Sequence, residues 1–359
     1  MSRRTLNIYF FRRFVVSFLS TLVAVFALTY LIDMVEVSRR GLPGDVGFET
    51  IATISALRVP AFIEQAFPFI VLFAAIFTMV SLNRKMELVV ARASGVSVWQ
   101  ILAPFAVGAF LIGVVSVTLY NPLAAIAQSH AALLQTANAS AIPTTADRAP
   151  WLRQVGQGVE SIIGAKAVAD RGATLGGVTA FLLDRDGTVR ERIDAPRATL
   201  SDGAWHIDDA TVTRIGSPPI REGERLIPTT LLPEYIEQRL ADPESISIWE
   251  LGSKIEVARS LGYNAEAFAM RLHALLARPA LFVAMTLVAA TVAVRYTRIG
   301  QSGRMIVSGV AAGFVLYVVT FLAQALGSNS VIPPIIAAWF PVVAAGLFGT
   351  TILLHQEDG

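Results

Sequence analysis

The residues most readily recruited for acid–base or metal chemistry are four histidines, His130, His206, His273 and His355. They are scattered, and none has metal-ligand spacing. Zero cysteine removes thiolate zinc sites, disulfides and a cysteine nucleophile. The chain has no HExxH and no GxSxG, and GQSG at Gly300–Gly303 has the wrong spacing. A phosphate-binding P-loop needs a lysine followed by Ser or Thr. The only lysines, Lys85, Lys166 and Lys254, precede Met, Ala and Ile, so ATP is not hydrolysed here by that route. Asp184 and Asp186 lie in DRDG, but a calcium loop needs a longer acidic series and a terminal Glu. That segment reads as a hairpin turn. His206, Asp208 and Asp209 are the nearest approach to a catalytic group, and they keep a membrane-anchored enzyme open as a reading.

The most informative chemistry is a docking chemistry. Residues 83–97, NRKMELVVARASGVS, are too polar to span a membrane and too apolar for an ordinary loop. Met86, Val89, Val90 and Ala93 fall at helical spacing, which predicts a short amphipathic helix near 83–95, ended by Gly95. Glu87 is the one carboxylate among Arg84, Lys85 and Arg92. Such a helix suits a partner on the inner side of the membrane, with Glu87 as a specificity element. The alternative is a plain interfacial turn with a positive flank.

These residues need elements to hold them. Of 359 residues, 54% are apolar and 16% charged, with a mean hydropathy of +0.59. Soluble domains carry about 25% charged residues, so the chain is too apolar to be wholly soluble. Six runs reach the roughly 20 apolar residues a bilayer core requires. They are Phe14–Val35, Val59–Leu82, Val98–Tyr120, Leu275–Val294, Met305–Leu326 and Pro333–Leu354, three before and three after a polar middle. Arg3, Arg4, Arg12, Arg13, Arg84, Lys85, Arg92, Arg295, Arg298 and Arg304 fall on one side of that alternation. The positive-inside rule then places both termini in the cytoplasm and the middle outside, in the periplasm of a two-membrane cell. The opening SRRTLN has a faint twin-arginine look, but the run behind it is long enough to span and lacks a small-residue cleavage site.

The net charge of +2 conceals an asymmetry. Residues 121–275 hold fifteen basic and nineteen acidic residues, a net of −4, and the remainder carries +6. An acidic middle between basic, apolar ends argues against nucleic acid as a partner. From Trp151 to about Leu232 short runs punctuated by Gly, Asp and Pro suggest about eight strands, hence a β-sandwich or jelly roll. In AWHIDDATVTRI, Trp205 and Ile207, then Val212 and Ile215, alternate with a break between them. Ser247 and Glu250 have capping-box spacing before a returning helix, and Asn264 is a plausible cap for a helix running into span four. Arg271, His273 and Arg278 are expected near the outer interface, with a possible kink at Pro279. The expected layout is an α-helical membrane protein with six transmembrane helices (3+3) and an inserted β-jelly-roll domain. Residues 1–120 hold spans one to three, 121–263 the periplasmic domain and connecting helix, and 264–359 spans four to six.

Three segments carry a resemblance. ELVVARASGVS, VPAFIEQAFPFIVLFAAIF and GSNSVIPPIIAAWFPVVAAGLF are similar to the LptF/LptG family of lipopolysaccharide-export permeases, on the LptG side. The resemblance covers nearly the whole chain. It implies a permease subunit of an ATP-driven lipopolysaccharide extractor in the bacterial inner membrane. The implied partners are an LptF-like permease, an LptB-like ATPase dimer that holds the ATP and Mg, and LptC-like and LptA-like bridge proteins. No cofactor is implied for this chain. Glu87 matches the family's coupling-helix carboxylate, with Arg84, Arg92, Met86 and Val90 beside it. Arg39 and Arg40 match positions that meet lipid A phosphates, with Arg58 close by, although snorkelling to the interface explains them equally. Asp33 and Ala61 stand where some members have a basic residue. Phe67, Phe69, Phe314 and Tyr317 are candidate walls for acyl chains, or simply packing residues. Glu64, inside span two, is expected to pair with Arg58 or to lie near the outer interface, with facing the cavity as the third alternative. The rival from another class is a mechanotransmission protein, moved by a cytoplasmic ATPase without carrying substrate.

Overall fold

The computed structural model describes residues 3–40, 47–138, 151–156, 159–169, 173–184, 187–214, 216–229, 246–260, 265–293 and 302–358. Inside hydrocarbon no water bonds the backbone, so an apolar run must satisfy its amides within a helix. Among the described residues six helices are long and apolar enough to cross a membrane, and each overlaps one of the expected runs over nearly its whole length. Helix α1 covers Arg3–Arg40 and α2 covers Phe48–Arg84, passing through Pro60 and Pro68. The short α3 (Glu87–Ala93) precedes α4 (Val98–Val115). A π-turn at Ser116–Tyr120 leads from α4 into α5 (Asn121–Asn138). Beyond the strands come α6 (Ile248–Ser260), α7 (Glu266–Ala293), α8 (Ser302–Ser328) and α9 (Pro334–Asp358). Pro334 opens α9 at its first position, where its missing N–H leaves nothing unpaired.

Among the described residues, six strands lie between α5 and α6. These are β1 (Trp151–Gly156), β2 (Val159–Ala169), β3 (Thr174–Leu183), β4 (Val189–Ser201), β5 (Ala204–Arg214) and β6 (Ile220–Pro228). They form one antiparallel sheet in the order β1-β2-β3-β4-β5-β6. This is the β-rich insert expected, with six longer strands among the described residues rather than about eight short ones. Several of the short runs merge: VRERIDAP and RATLSD together make β4. The DRDG hairpin is present between β3 and β4. Gly187 has φ 75°, and Asp184 exchanges bonds with Gly187 and Thr188 across it. Asp186, Ile215 and the proposed cap Asn264 lie outside the described residues.

The break in β5 is a bulge. Trp205, Ile207, Ala210 and Val212 are buried, and the register slips between Ile207 and Ala210, where Asp209 takes a φ of 57°. The extra residue returns the apolar side chains to the core face, as the two-residue period demands. Beneath Trp205 a polar relay is satisfied. Its Nε1–H donates to Gln154 Oε1 at 3.2 Å, Thr229 donates to the same oxygen at 2.6 Å, and Gln154 donates to Ser161 at 2.9 Å.

The chain divides into two compact units. One comprises Met1–Glu36, Ser55–Ser129 and Pro243–Gly359 and holds the helical bundle; the other comprises Val37–Ile54 and His130–Asp242 and holds the sheet. In the bundle α2, α4 and α7 are central. Of α2's most apolar stretch 67% is buried, against 6% for α1. Gly113 of α4 permits a close approach to the α7 backbone: a Cβ there would sit 2.5 Å from Pro279 Cα. Helix α7 runs through Pro279 as one element.

Candidate functional site

The connection between α2 and α4 is built as a separate block. Met86 adopts a left-handed conformation (φ 61°) and stops α2 from continuing into α3. At the other end Gly95 (φ 86°) closes a Schellman motif. Its N–H bonds Arg92 O at 2.9 Å and the Val96 N–H bonds Ala91 O at 3.2 Å. Ser97 then caps α4 by accepting from the Gln100 N–H at 3.3 Å. The helix is seven residues long, shorter than the expected 83–95, because Asn83 and Arg84 end α2 and Lys85 and Met86 form the turn. Leu88 and Ala91 are its buried positions, while Met86 and Val90 are exposed at 58% and 66%. Ala93 continues that exposed line. The block therefore packs by one apolar edge and presents another. Arg84 and Lys85 are exposed beside it and Arg92 is half-buried.

Glu87 is held from α1. Its Oε2 accepts from the Tyr9 hydroxyl at 2.8 Å, and its Oε1 lies 3.5 Å from Arg13 Nη2. Arg13 in turn donates to the Tyr9 oxygen through Nε at 3.0 Å and Nη2 at 2.8 Å. The sequence sets Glu87 among Arg84, Lys85 and Arg92; its contacts are instead with Tyr9 and Arg13 of α1, 78 and 74 positions away. Between α1 and α3 lies an open groove of about 810 Å³, lined by Leu6, Tyr9, Phe10, Met86, Glu87 and Val90 among others.

A second site lies on α2, inside the bundle. Glu64 is 4% exposed and accepts from three side chains. Arg271 Nη2 and Arg278 Nη1 each reach Oε1 at 2.8 Å, and Asn121 Nδ2 reaches the two oxygens at 3.0 and 3.2 Å. Asn121 Oδ1 also accepts the Ile248 N–H at 2.9 Å, capping the first amide of α6. Ser247 supplies a weaker cap, accepting from Trp249 N–H at 3.4 Å. The expected Glu64–Arg58 pair is not formed. Arg58 pairs with Asp33 at 3.5 Å and lies over the Phe62 ring at 5.6 Å. Arg271 and Arg278 are the ion-pair partners of Glu64 instead. Their seven-residue spacing sets both on one face of α7, and that face is turned to the carboxylate. Two cavities flank this network. One, of about 130 Å³, is lined by Glu64, Arg271, Arg278, Tyr317, Thr320 and Gln324 among others; the other, of about 250 Å³, by Arg58, Phe62, Gln65, Gln128 and Arg271 among others.

The lipid candidates separate. Phe67 is 3% exposed and packs on Phe18, Tyr120 and Phe282, so it is a core residue rather than a wall. Phe69 and Tyr317 face each other at 4.8 Å, and Tyr317 lines the smaller cavity. Phe314 is 56% exposed on α8. Arg39 is exposed near the end of α1, and the side chain of Arg40 lies outside the described residues.

On the sheet, the candidate catalytic trio is not convergent. His206 Nδ1 lies 3.2 Å from Glu224. Asp209, at the bulge, is engaged by two guanidinium nitrogens of Arg221, Nε and Nη2. The hydrogen bond from Arg221 holds Asp209 below the usual carboxylate range. Asp208 is exposed. Among the described residues no three His, Asp or Glu could hold a metal.

Tyr9, Asn121 and the role of Arg271 and Arg278 escaped the sequence reading. The spacing of the two arginines was an available signal; Asn121, set after a π-turn, left none.

Comparison with known proteins covers both sites at once. The sequence pattern of the family described as "Lipopolysaccharide export system permease LptF/LptG" matches residues 8–355. The lipopolysaccharide export system permease protein LptG of Escherichia coli strain K12 is 21% identical over 347 residues, 94% of each chain. The LptG protein of Escherichia coli O6:H1 matches to the same extent. With the match running from α1 to α9 across six membrane-length helices and the sheet, the chain belongs to the LptF/LptG family of lipopolysaccharide export system permeases.

Proposed function

We propose that this chain is the LptG-type permease subunit of an ATP-driven extractor that lifts lipopolysaccharide from the bacterial inner membrane toward a periplasmic bridge. The observation that carries this reading is the family match over residues 8–355. The charge asymmetry of the loops supports an orientation with both termini cytoplasmic and the sheet domain periplasmic. In that orientation α3 faces the cytoplasm and is the docking element for a separate, LptB-like ATPase dimer, which binds the ATP and Mg. The exposed Met86 and Val90 supply apolar contact, Glu87 the specifying charge, and Arg84 and Arg92 the flanking cations. An LptF-like permease completes the cavity, and LptC-like and LptA-like proteins take the lipid onward. Arg39, Arg40 and Arg58 are the candidate cations for lipid phosphates, Arg58 exchanging its contact with Asp33 for one; Phe69, Phe314 and Tyr317 are the remaining candidates for acyl contact.

This chain makes and breaks no covalent bond in that cycle. Closure of the partner ATPase moves α3, the cavity narrows, and lipid leaves on the side of the sheet domain. The test is ATP-dependent lipopolysaccharide release from proteoliposomes holding the purified complex, wild type against Glu87→Lys. The expected outcome is release by wild type, with loss of both ATPase co-purification and release in the variant. Wild-type levels of both in the variant would refute the role of Glu87, and no release by wild type would refute the extractor reading.

A further inference from the structure

We infer that Tyr9 and Arg13 are positioning residues that carry the motion of α3 into α1, an inference that rests on the function proposed above. The argument begins with what α3 lacks. Left-handed Met86 on one side and Gly95 on the other interrupt the helical backbone, so no continuous helix links α3 to α2 or α4. Motion of the block must leave through side chains. Its buried edge, Leu88 and Ala91, is apolar and non-directional. The directional contacts run from Glu87 to Tyr9 at 2.8 Å and to Arg13 at 3.5 Å, and Arg13 locks the Tyr9 hydroxyl through two donors.

Helix α1 is placed to respond. Only 6% of its most apolar stretch is buried, the least of the six membrane-length helices. Its packed aromatic anchors gather at the Tyr9 end. Phe10 and Phe14 lie 6.1 and 5.6 Å from Phe105 of α4, and Gly108 leaves room for Phe14, whose Cδ1 would be 2.9 Å from a Cβ there. Near its other end Asp33 meets Arg58. A helix pinned by an aromatic pivot and gripped beside that pivot turns a small displacement at Glu87 into a swing of its lightly packed length. Tyr9 and Arg13 thus act through Glu87 on α1, and touch no lipid.

The chain has no cysteine, which permits clean labelling. Cysteines placed at the exposed Leu19 of α1 and Val107 of α4 would carry spin labels, and the distance between them would be measured in the purified complex with and without a non-hydrolysable ATP analogue. The expected result is a nucleotide-dependent change in wild type that Tyr9→Phe and Arg13→Lys each reduce. The lipid released per ATP hydrolysed should fall by about threefold or more in Tyr9→Phe, the scale of one lost hydrogen bond. In a Glu87→Ala background Tyr9→Phe should add nothing further, because the acceptor of the Tyr9 hydroxyl is already gone. A distance change unaltered by Tyr9→Phe, equal losses in both backgrounds, or no nucleotide-dependent change in wild type would overturn the inference. Absence of lipid release with an intact distance change would instead overturn the extractor reading alone.

Discussion

Glu64 and Glu87 lie one helix apart and are built on opposite principles. Glu64 is 4% exposed and has three side-chain donors, so its charge is fully compensated inside the bundle. Glu87 keeps 29% of its side chain exposed and has a neutral hydroxyl and one longer ion contact. A charge in a dry interior persists only where partners replace water, and removing one partner leaves the rest stranded. A charge at a rim is cheap to hold and cheap to exchange. The first arrangement fixes α2, α5 and α7 against one another. The second leaves a carboxylate that can shift partners while α3 moves. Under the proposed function, stability and coupling are therefore assigned to different carboxylates of one chain.

Substitutions that sharpen this contrast differ in size. Glu64→Leu leaves two buried guanidinium groups without their carboxylate and should destabilise the bundle by about 3–5 kcal/mol. Thermal unfolding in detergent would show it, and adding Arg271→Met and Arg278→Met should restore most of the loss. Asn121→Ala removes a donor to Glu64 and the acceptor for Ile248 N–H, for about 1–3 kcal/mol by the same measurement. Glu87→Gln should change stability by less than about 1 kcal/mol, yet weaken ATPase co-purification, which a pull-down from solubilised membranes would quantify. A larger loss of stability from Glu87→Gln than from Glu64→Leu would reverse the comparison. The smallest effect belongs to the sheet. Asp209 titrates lower when folded because Arg221 bonds its charged form. Its contribution is therefore complete at neutral pH and is lost only as pH falls below 3.8 toward the depressed folded value. Asp209→Asn should slightly flatten the acid limb of the sheet's unfolding profile, followed by tryptophan fluorescence.

The membrane helices were legible because hydropathy over twenty residues is a local property, and so was α3, bounded by Gly95 and carrying Glu87. The break after Ile207 was visible as a lapse in alternation, and it is the bulge at Asp209. What stayed hidden was partnership across distance. Glu87 meets a tyrosine 78 residues earlier, and Glu64 meets arginines 207 and 214 residues later. Helical periodicity says which residues share a face, not which face of another helix it meets. Phe67 shows the same limit: an aromatic in a span packs inward or faces lipid with no change in local pattern, and here it packs inward. Strand ends were hidden for a related reason. Gly and Pro mark strand ends only where the chain turns, and Pro196 lies within β4 without ending it.

The most direct measurement of the central claim is to purify the chain from detergent-solubilised membranes and identify by mass spectrometry every protein and lipid that accompanies it. The extractor account predicts a P-loop ATPase, a second six-span permease and bound lipopolysaccharide. Recovery of the ATPase without lipopolysaccharide, or of neither, would contradict it.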